Sequence, residues 1–387
     1  MKVLFVSPFP PAQDGIGTHT RGLAAALRAG GHEVRVAVPH LLPGNPGEVL
    51  GSIGWRPAEL AALRGLITGW QPDVIHVQFA VAAFGARAVP LLRLLDALRR
   101  ERTAPLIVTM HEVTRDTATL RAAGRLIYRR LAARCAAVIV HTHAAFSVLT
   151  GPVGVPPGKV TVIPHPRPQP PLPGTAEGDL RARFGLGNAR VLLAFGFIHV
   201  DKGLGDLVRA LTTADLSASG VLDDVRIVVA GGVRPRRGPL RVFQVRDRQH
   251  LRQVLRQARR GGVQSRLTLT GYVPDGDIAG WFGAAEAVLL PYRRIEQSGV
   301  AALASALGVP VLASTAGGLS ELFAGSPWTF PPGTRPRWPG CSRAFSAPRR
   351  GGERPRPLAA GPPIQPRSRR RPATFTRWRG ATPRRRC

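Results

Sequence analysis

Residues 2–17 read Lys2-Val3-Leu4-Phe5-Val6-Ser7-Pro8-Phe9-Pro10-Pro11-Ala12-Gln13-Asp14-Gly15-Ile16-Gly17, and the fold is decided here. A short apolar, β-rich run stops at Pro8. A loop carrying Gly15 and Gly17 follows, and Leu23, Ala26 and Leu27 then recur at helical spacing until Gly30-Gly31. Val34 to Val38 supplies a second strand. Strand, glycine loop, helix and strand in this order open a doubly wound parallel sheet.

The same alternation continues outward. Strands are expected at 74–77, 106–109, 138–140 and 160–163, with helices near 57–69, 87–102, 119–134 and 143–149. Six of the ten residues from Pro164 to Pro173 are proline, which removes backbone donors and bars a central strand, so the first unit is expected to close there. The pattern restarts with strands at 191–195, 226–230, 267–270, 287–290 and 309–313, and with helices near 203–212, 243–260 and 299–307. The expected division is a first α/β domain at 1–166, a linker region at 167–188, a second α/β domain at 189–333, and a basic tail at 334–387. Two β/α domains on a proline-rich hinge make a cleft enzyme.

Composition narrows the class. With 387 residues, 44% of them apolar, the chain can fill two ordinary cores. Its three cysteines offer neither a disulfide framework nor a paired-cysteine metal motif, so a reducing cytoplasm and no metal ligands are expected. No apolar run approaches the roughly 18 residues that span a bilayer, so the protein is expected to be soluble or peripheral. The net charge of +31 would suggest nucleic acid, but 16 arginines and one acid lie in residues 331–387. Subtracting their +15 leaves +16 for the body, ordinary for a protein that handles phosphates.

Three segments carry chemistry. Gly15 and Gly17 let backbone N–H groups approach an anion at a helix start, or else make a plain tight turn. Gly196 ends a strand, and Lys202, one of only three lysines among 54 basic residues, begins the next helix. A cation opposes the macrodipole there, which a bound diphosphate would relieve; a solvated surface lysine is the alternative. In the third segment, Pro291 to Val300, Glu296 and Ser298 can bond sugar hydroxyls, while the N–H groups of Ser298, Gly299 and Val300 can face an anion. A simply capped helix start is the alternative.

In order, Gly15-Ile16-Gly17, Pro72 to His76, Thr109-Met110-His111-Glu112, Val162 to His165, Gly196 to Gly203, Gly271-Tyr272-Val273-Pro274, Glu296 to Val300 and Gly317 to Glu321 resemble glycosyltransferase family four. The resemblance covers residues 1 to 333. It implies the α/β GT-B fold, two Rossmann-like domains facing across a cleft, and transfer of a sugar from a nucleotide diphosphate to an acceptor hydroxyl with retention. It places Gly17 beside the donor diphosphate, Lys202 on it, His111 near the transferred sugar, Gly271 to Val273 near the base, and Glu296 with the following backbone on the sugar. It implies no obligatory metal or other cofactor. It also implies a sugar or lipid-linked acceptor, for which arginine-rich helices holding Arg93, Arg99, Arg121 and Arg125 could rest on an anionic membrane at the inner face, unless they are simply solvated helix faces.

Two departures stand out. The family's arginine after the first glycine is Phe197 here, with His199 nearby, so diphosphate binding is expected either to be weaker or to borrow another arginine. The family's second glutamate falls at Ala304, in keeping with a subgroup carrying Gln297-Ser298-Gly299-Val300. Two rivals remain: a GT-B epimerase-like enzyme, and a nucleic-acid-binding protein that uses its arginine tail. The tail itself has no hydrophobic period, as in disordered segments. If the gene is read one nucleotide earlier from Gly333 onward, however, T falls at the second base of shifted codons 5, 8 and 12, and also of 9 and 13 where Ser342 and Ser346 use TCN codons. Those codons encode only Leu, Val, Ile, Met or Phe, at the spacing of an amphipathic helix. A frameshift near codon 333 is therefore expected.

Overall fold

In the computed structural model, residues 1–12, 14–165, 174–212, 224–235 and 241–333 are described. They form two parallel sheets. The first has seven strands: β1 (Lys2–Val6), β2 (Glu33–Val38), β3 (Val49–Ser52), β4 (Val74–Phe79), β5 (Leu106–Met110), β6 (Ala137–Val140) and β7 (Val160–Val162), in spatial order β3-β2-β1-β4-β5-β6-β7. The second has six: β8 (Arg190–Phe195), β9 (Val225–Ala230), β10 (Leu267–Leu269), β11 (Ala285–Leu290), β12 (Val311–Ser314) and β13 (Thr329–Phe330), in order β10-β9-β8-β11-β12-β13. Strand order reverses beside β1 and beside β8, the crevices where doubly wound sheets take ligands.

Burial follows the expected pattern. Leu4, Phe5 and Val6 are fully buried, as are Val191, Leu192 and Leu193 at the matching place in the second sheet. Runs apolar on both faces suit strands covered by helices on both sides. Each sheet packs two apolar clusters, one per face, and none of the four clusters crosses between the sheets.

Two local features differ from the sequence reading. The helix expected from 119 begins at Val113 and runs to Arg134, broken at Arg121, where φ is 50°. The two helical pieces meet at Gly124, whose absent Cβ would stand 2.7 Å from the Asp116 carbonyl oxygen; only glycine permits that approach. The expected linker contains a helix, Glu177–Arg183, with Leu180 fully buried in the second domain's core. Gly280 of the helix Asp275–Ala284 has room for no side chain because Thr175 and Leu180 lie against it. Part of the linker, like the arginine tail and its proposed frameshift, lies outside the described residues.

Candidate active site between the two sheets

The carboxyl edges of the two sheets face each other, and polar bridges join them. Asp14, between β1 and the helix Gly15–Ala29, pairs with Arg234, which follows β9. Glu296, after β11, accepts from the backbone N–H (2.8 Å) and hydroxyl (3.0 Å) of Thr114 in the first turn of Val113–Arg134. Glu321, after β12, accepts from the N–H groups of His143 and Ala144 at the start of the helix His143–Thr150, both at 3.1 Å. Carboxyl groups of the second domain thus serve the orphan donors at the starts of first-domain helices. Gly318 has no room for a Cβ because Thr142 of the first domain and the Glu296 carbonyl lie against it.

On the second-domain side the expected residues converge. Gly196 has φ 97°, and a Cβ built there would lie 3.9 Å from Lys202 Nζ and 3.7 Å from Val300 Cγ2. Gly203, with φ 68°, lets the chain pass against the Pro291 carbonyl and so presents Lys202 to the loop after β11. The Lys202 ammonium donates to Tyr292 Oη at 2.5 Å and sits 4.0 Å from that ring's centroid. Ser298 accepts from the Ala301 N–H at 3.1 Å and caps the helix Gly299–Ala306. The N–H groups of Gly299 and Val300 fall in that helix's first turn, where helix geometry gives them no intrahelical acceptor. Gly271, with φ 75°, turns the chain into Tyr272, which is 55% exposed, while Gly232 lies 3.4 Å from the Tyr272 amide by the same Cβ measure.

Four of the expected positions are already engaged elsewhere in this structure. Asp14 Oδ1 already accepts from Ile16 N–H (2.8 Å) and Gly17 N–H (3.2 Å), so the first glycine loop does not offer those amides to an anion. Gly17 instead allows the helix to approach the Pro8-Phe9 backbone, 3.3 Å from where its Cβ would be, and Gly15 borders open space. His199 accepts from the Asp201 N–H at 3.1 Å, caps its own turn, and lies beside Arg246 and Asp247 of the helix Arg241–Arg260. Glu296 is engaged with Thr114, leaving Oε1 buried without a partner. Val273 packs into the second-domain core rather than lying open beside Tyr272.

Burial dominates the electrostatics. It pushes the Glu296 carboxyl up to about 8, and the nearby Glu112 charge adds to this. Glu112 is raised to about 7 by its own burial, opposed by Arg115 and, across the cleft, by Lys202. His111, at the end of β5, is buried and lies 2.7 Å from Gln78 Oε1 through Nε2. Its pKa is held well below the usual histidine value by burial and by the other histidines around it. Those neighbours were not expected. His19 and His141 approach the His111 ring with centroids at 5.2 and 5.0 Å, and His165 lies 4.8 Å from His19. Burial, then neighbouring histidines, lowers His19 to about 3; burial likewise takes His141 to about 4.

Arg234 was also missed. Its guanidinium lies 5.8 Å from the ring of Phe197, the residue standing where the family's arginine was expected. It follows the glycine pair Gly231-Gly232, a visible backbone signal, but nothing in one sequence says that β9 ends beside β8.

The comparisons agree with this architecture. The description Glycosyltransferase Family 4 matches residues 13–167, and Glycosyl transferases group 1 matches residues 189–336. A D-inositol 3-phosphate glycosyltransferase of Xylanimonas cellulosilytica is 33% identical over 153 residues, 39% of this chain and 32% of the relative. A GDP-mannose-dependent alpha-(1-6)-phosphatidylinositol monomannoside mannosyltransferase of Mycobacterium tuberculosis is 28% identical over 311 residues, 77% of this chain and 69% of the relative. Among solved structures, sucrose-phosphate synthase from Thermosynechococcus elongatus superposes with a TM-score of 0.65 at 19% identity, covering 87% of each chain. Anabaena HepE in complex with UDP and glucose does so with a TM-score of 0.65 at 17% identity, covering 89% of each. With two parallel α/β domains apposed at their carboxyl edges and both halves matched in order, the chain belongs to glycosyltransferase family four and has the GT-B fold.

Proposed function

We propose that the protein transfers a sugar from a nucleoside diphosphate sugar to an acceptor hydroxyl, retaining the anomeric configuration. The observation that carries this is the meeting of Gly196, Lys202 and the start of the helix Gly299–Ala306 at one point on the second sheet's carboxyl edge. A diphosphate there would meet an ammonium, a backbone cleared of side chains, and two helix N–H groups. As the bond from sugar C1 to the phosphate oxygen breaks, these donors stabilise the charge that develops on the leaving group, which is how such a site lowers the barrier without an obligatory metal. The acceptor oxygen bonds to C1 on the same face, and its proton passes to the departing phosphate oxygen.

Arg234 supplies the second cation in this reading. It already sits on Phe197, and a diphosphate would exchange its partner from Asp14 to phosphate. Glu296 and His111 would meet the sugar from opposite domains, which requires Glu296 to leave Thr114. Tyr272 offers a ring to the base. The acceptor belongs to the first domain, and the named substrates of the relatives suggest a polyol phosphate or its lipid-linked form. Among the described residues no helix is long and apolar enough to cross a membrane. In this reading a lipid-linked acceptor is met peripherally, at the cytoplasmic face.

The test is thermal shift of the full chain with UDP-, GDP- and ADP-sugars, followed by NMR of the product's anomeric centre. Stabilisation by one nucleotide class and a retained anomer are expected. No shift with any of them refutes the donor assignment.

A further inference from the structure

Four histidines gather at the carboxyl edge of the first sheet, and the transfer reaction needs only His111. His19 comes from the second turn of Gly15–Ala29, His111 from the end of β5, His141 from the end of β6, and His165 from just beyond β7. One ring nitrogen from each of His19, His111 and His141 lies within 4.8 Å of those of the other two. Around a tetrahedral ion, imidazole nitrogens at about 2.0–2.1 Å from the metal stand about 3.3 Å apart, so small ring movements would close the set.

The hydrogen bonds direct the lone pairs. His141 Nδ1 lies 2.7 Å from the Ile163 carbonyl oxygen, which can only accept, so Nδ1 carries the proton and Nε2 the lone pair. That Nε2 is buried and has no hydrogen-bond partner, and so is His19 Nδ1. His111 Nε2 faces Gln78 Oε1, which leaves Nδ1 as its ligand atom, and the Gln78 amide nitrogen is turned toward His76 Nε2 at 3.3 Å. An outer ring of carbonyl acceptors that fixes tautomer and orientation is what metal-binding histidines ordinarily have. A buried cluster of unpartnered ring nitrogens is otherwise costly, because each gives up its bond to water.

We propose that His19, His111 and His141 form a three-histidine site for a divalent late first-row cation such as Zn²⁺, with the fourth position left to an oxygen from solvent or substrate. An imidazole set without thiolates or carboxylates suits Zn²⁺, Co²⁺, Ni²⁺ or Cu²⁺ and disfavours Mg²⁺ or Ca²⁺. The site stands on first-domain geometry alone. Where the proposed transfer also holds, a bound ion and the sugar compete for His111.

Untagged full-length protein, stripped with a chelator, is titrated with Co²⁺ and read by the visible absorption of the bound ion. One equivalent with a tetrahedral or five-coordinate spectrum, displaced by Zn²⁺ and unaffected by Mg²⁺, is expected. His19→Ala and His141→Gln should each abolish the spectrum, and Gln78→Leu should weaken binding about 10–100-fold as an outer-ring change. His250→Gln, in the second domain, should leave the titration unchanged. Absence of the spectrum in the unmodified protein overturns the proposal. So does its survival in both His19→Ala and His141→Gln when circular dichroism shows either variant folded. The readout is independent of sugar transfer, so failure here leaves the proposed function standing and success does not establish it.

Discussion

Replacing Glu296 by glutamine should make the protein more stable, and increasingly so as pH rises. Glu296 is almost fully buried and its carboxyl is held up at about 8, against an ordinary value of 4.5. A raised folded-state pKa means that the native state keeps a proton the unfolded chain releases. The stabilisation is therefore complete below about pH 4.5 and is lost progressively as pH climbs to about 8. At 1.36 kcal/mol per pKa unit, the loss is about 3 kcal/mol at pH 7 and about 5 kcal/mol above pH 8. Glutamine is nearly isosteric, its amide oxygen can still accept from the Thr114 N–H and hydroxyl, and it does not ionise. At pH 5 the two proteins should melt within a few degrees of each other, since only about 1 kcal/mol of hydrogen-bond quality is at stake. At pH 9 the variant should melt later by roughly 6 °C or more, at about 2 °C per kcal/mol for a chain of this size. Scanning calorimetry from pH 5 to 9 measures both. Parallel pH profiles for the two proteins would refute the reasoning, because they would mean that Glu296 ionises in the native state as freely as in the unfolded one.

Further outcomes follow from other sites. Lys202→Ala should weaken binding of whichever nucleotide sugar stabilises the protein by roughly 10–150-fold, the worth of one charge-assisted bond, while Lys159→Ala should not, as calorimetric titration will tell. Asp116→Ala should destabilise by about 3 kcal/mol in urea unfolding, since it strips the buried Tyr128 hydroxyl and the Val81 N–H of their acceptor. Burial pushes the Cys135 thiol up to about 12, so at pH 8 the Cys135 peptide should escape alkylation in native protein and be fully labelled in urea. Sequencing the gene across codon 333 should find an open amphipathic helix in the shifted frame, and an early stop there would end the frameshift proposal.

The sheets were legible because their signal is local. Strands buried on both faces read as unbroken apolar runs, and β1, β4, β8 and β9 stand within a residue or two of the expected positions. β3 escaped because Val49–Ser52 is a short, half-buried edge strand containing Gly51. The helix Asp275–Ala284 escaped because three glycines hide its period, although Trp281 and Phe282 are core. The approach of Lys202 to Gly196 and to the start of Gly299–Ala306 was foreshadowed by a lone cation placed at a helix start. The histidine cluster was not: His111, His141 and His165 follow three different strands, His19 lies within the first helix, and the parallel order β1-β4-β5-β6-β7 brings them to one edge. Asp14, Arg234 and Glu321 were hidden for a related reason, since their partners belong to the other domain.

The four apolar clusters each stop within one domain, whereas the bridges between the domains run through Asp14, Arg234, Glu296 and Glu321. Parting the domains would therefore wet charged and amide groups and little hydrocarbon. Such an opening should carry almost no heat-capacity change and should respond to ionic strength instead, because salt screens a carboxylate at a helix end or on a guanidinium but does not loosen packed leucines. The separation of the two domains would then be set by the electrolyte around them, with both cores remaining intact as they part.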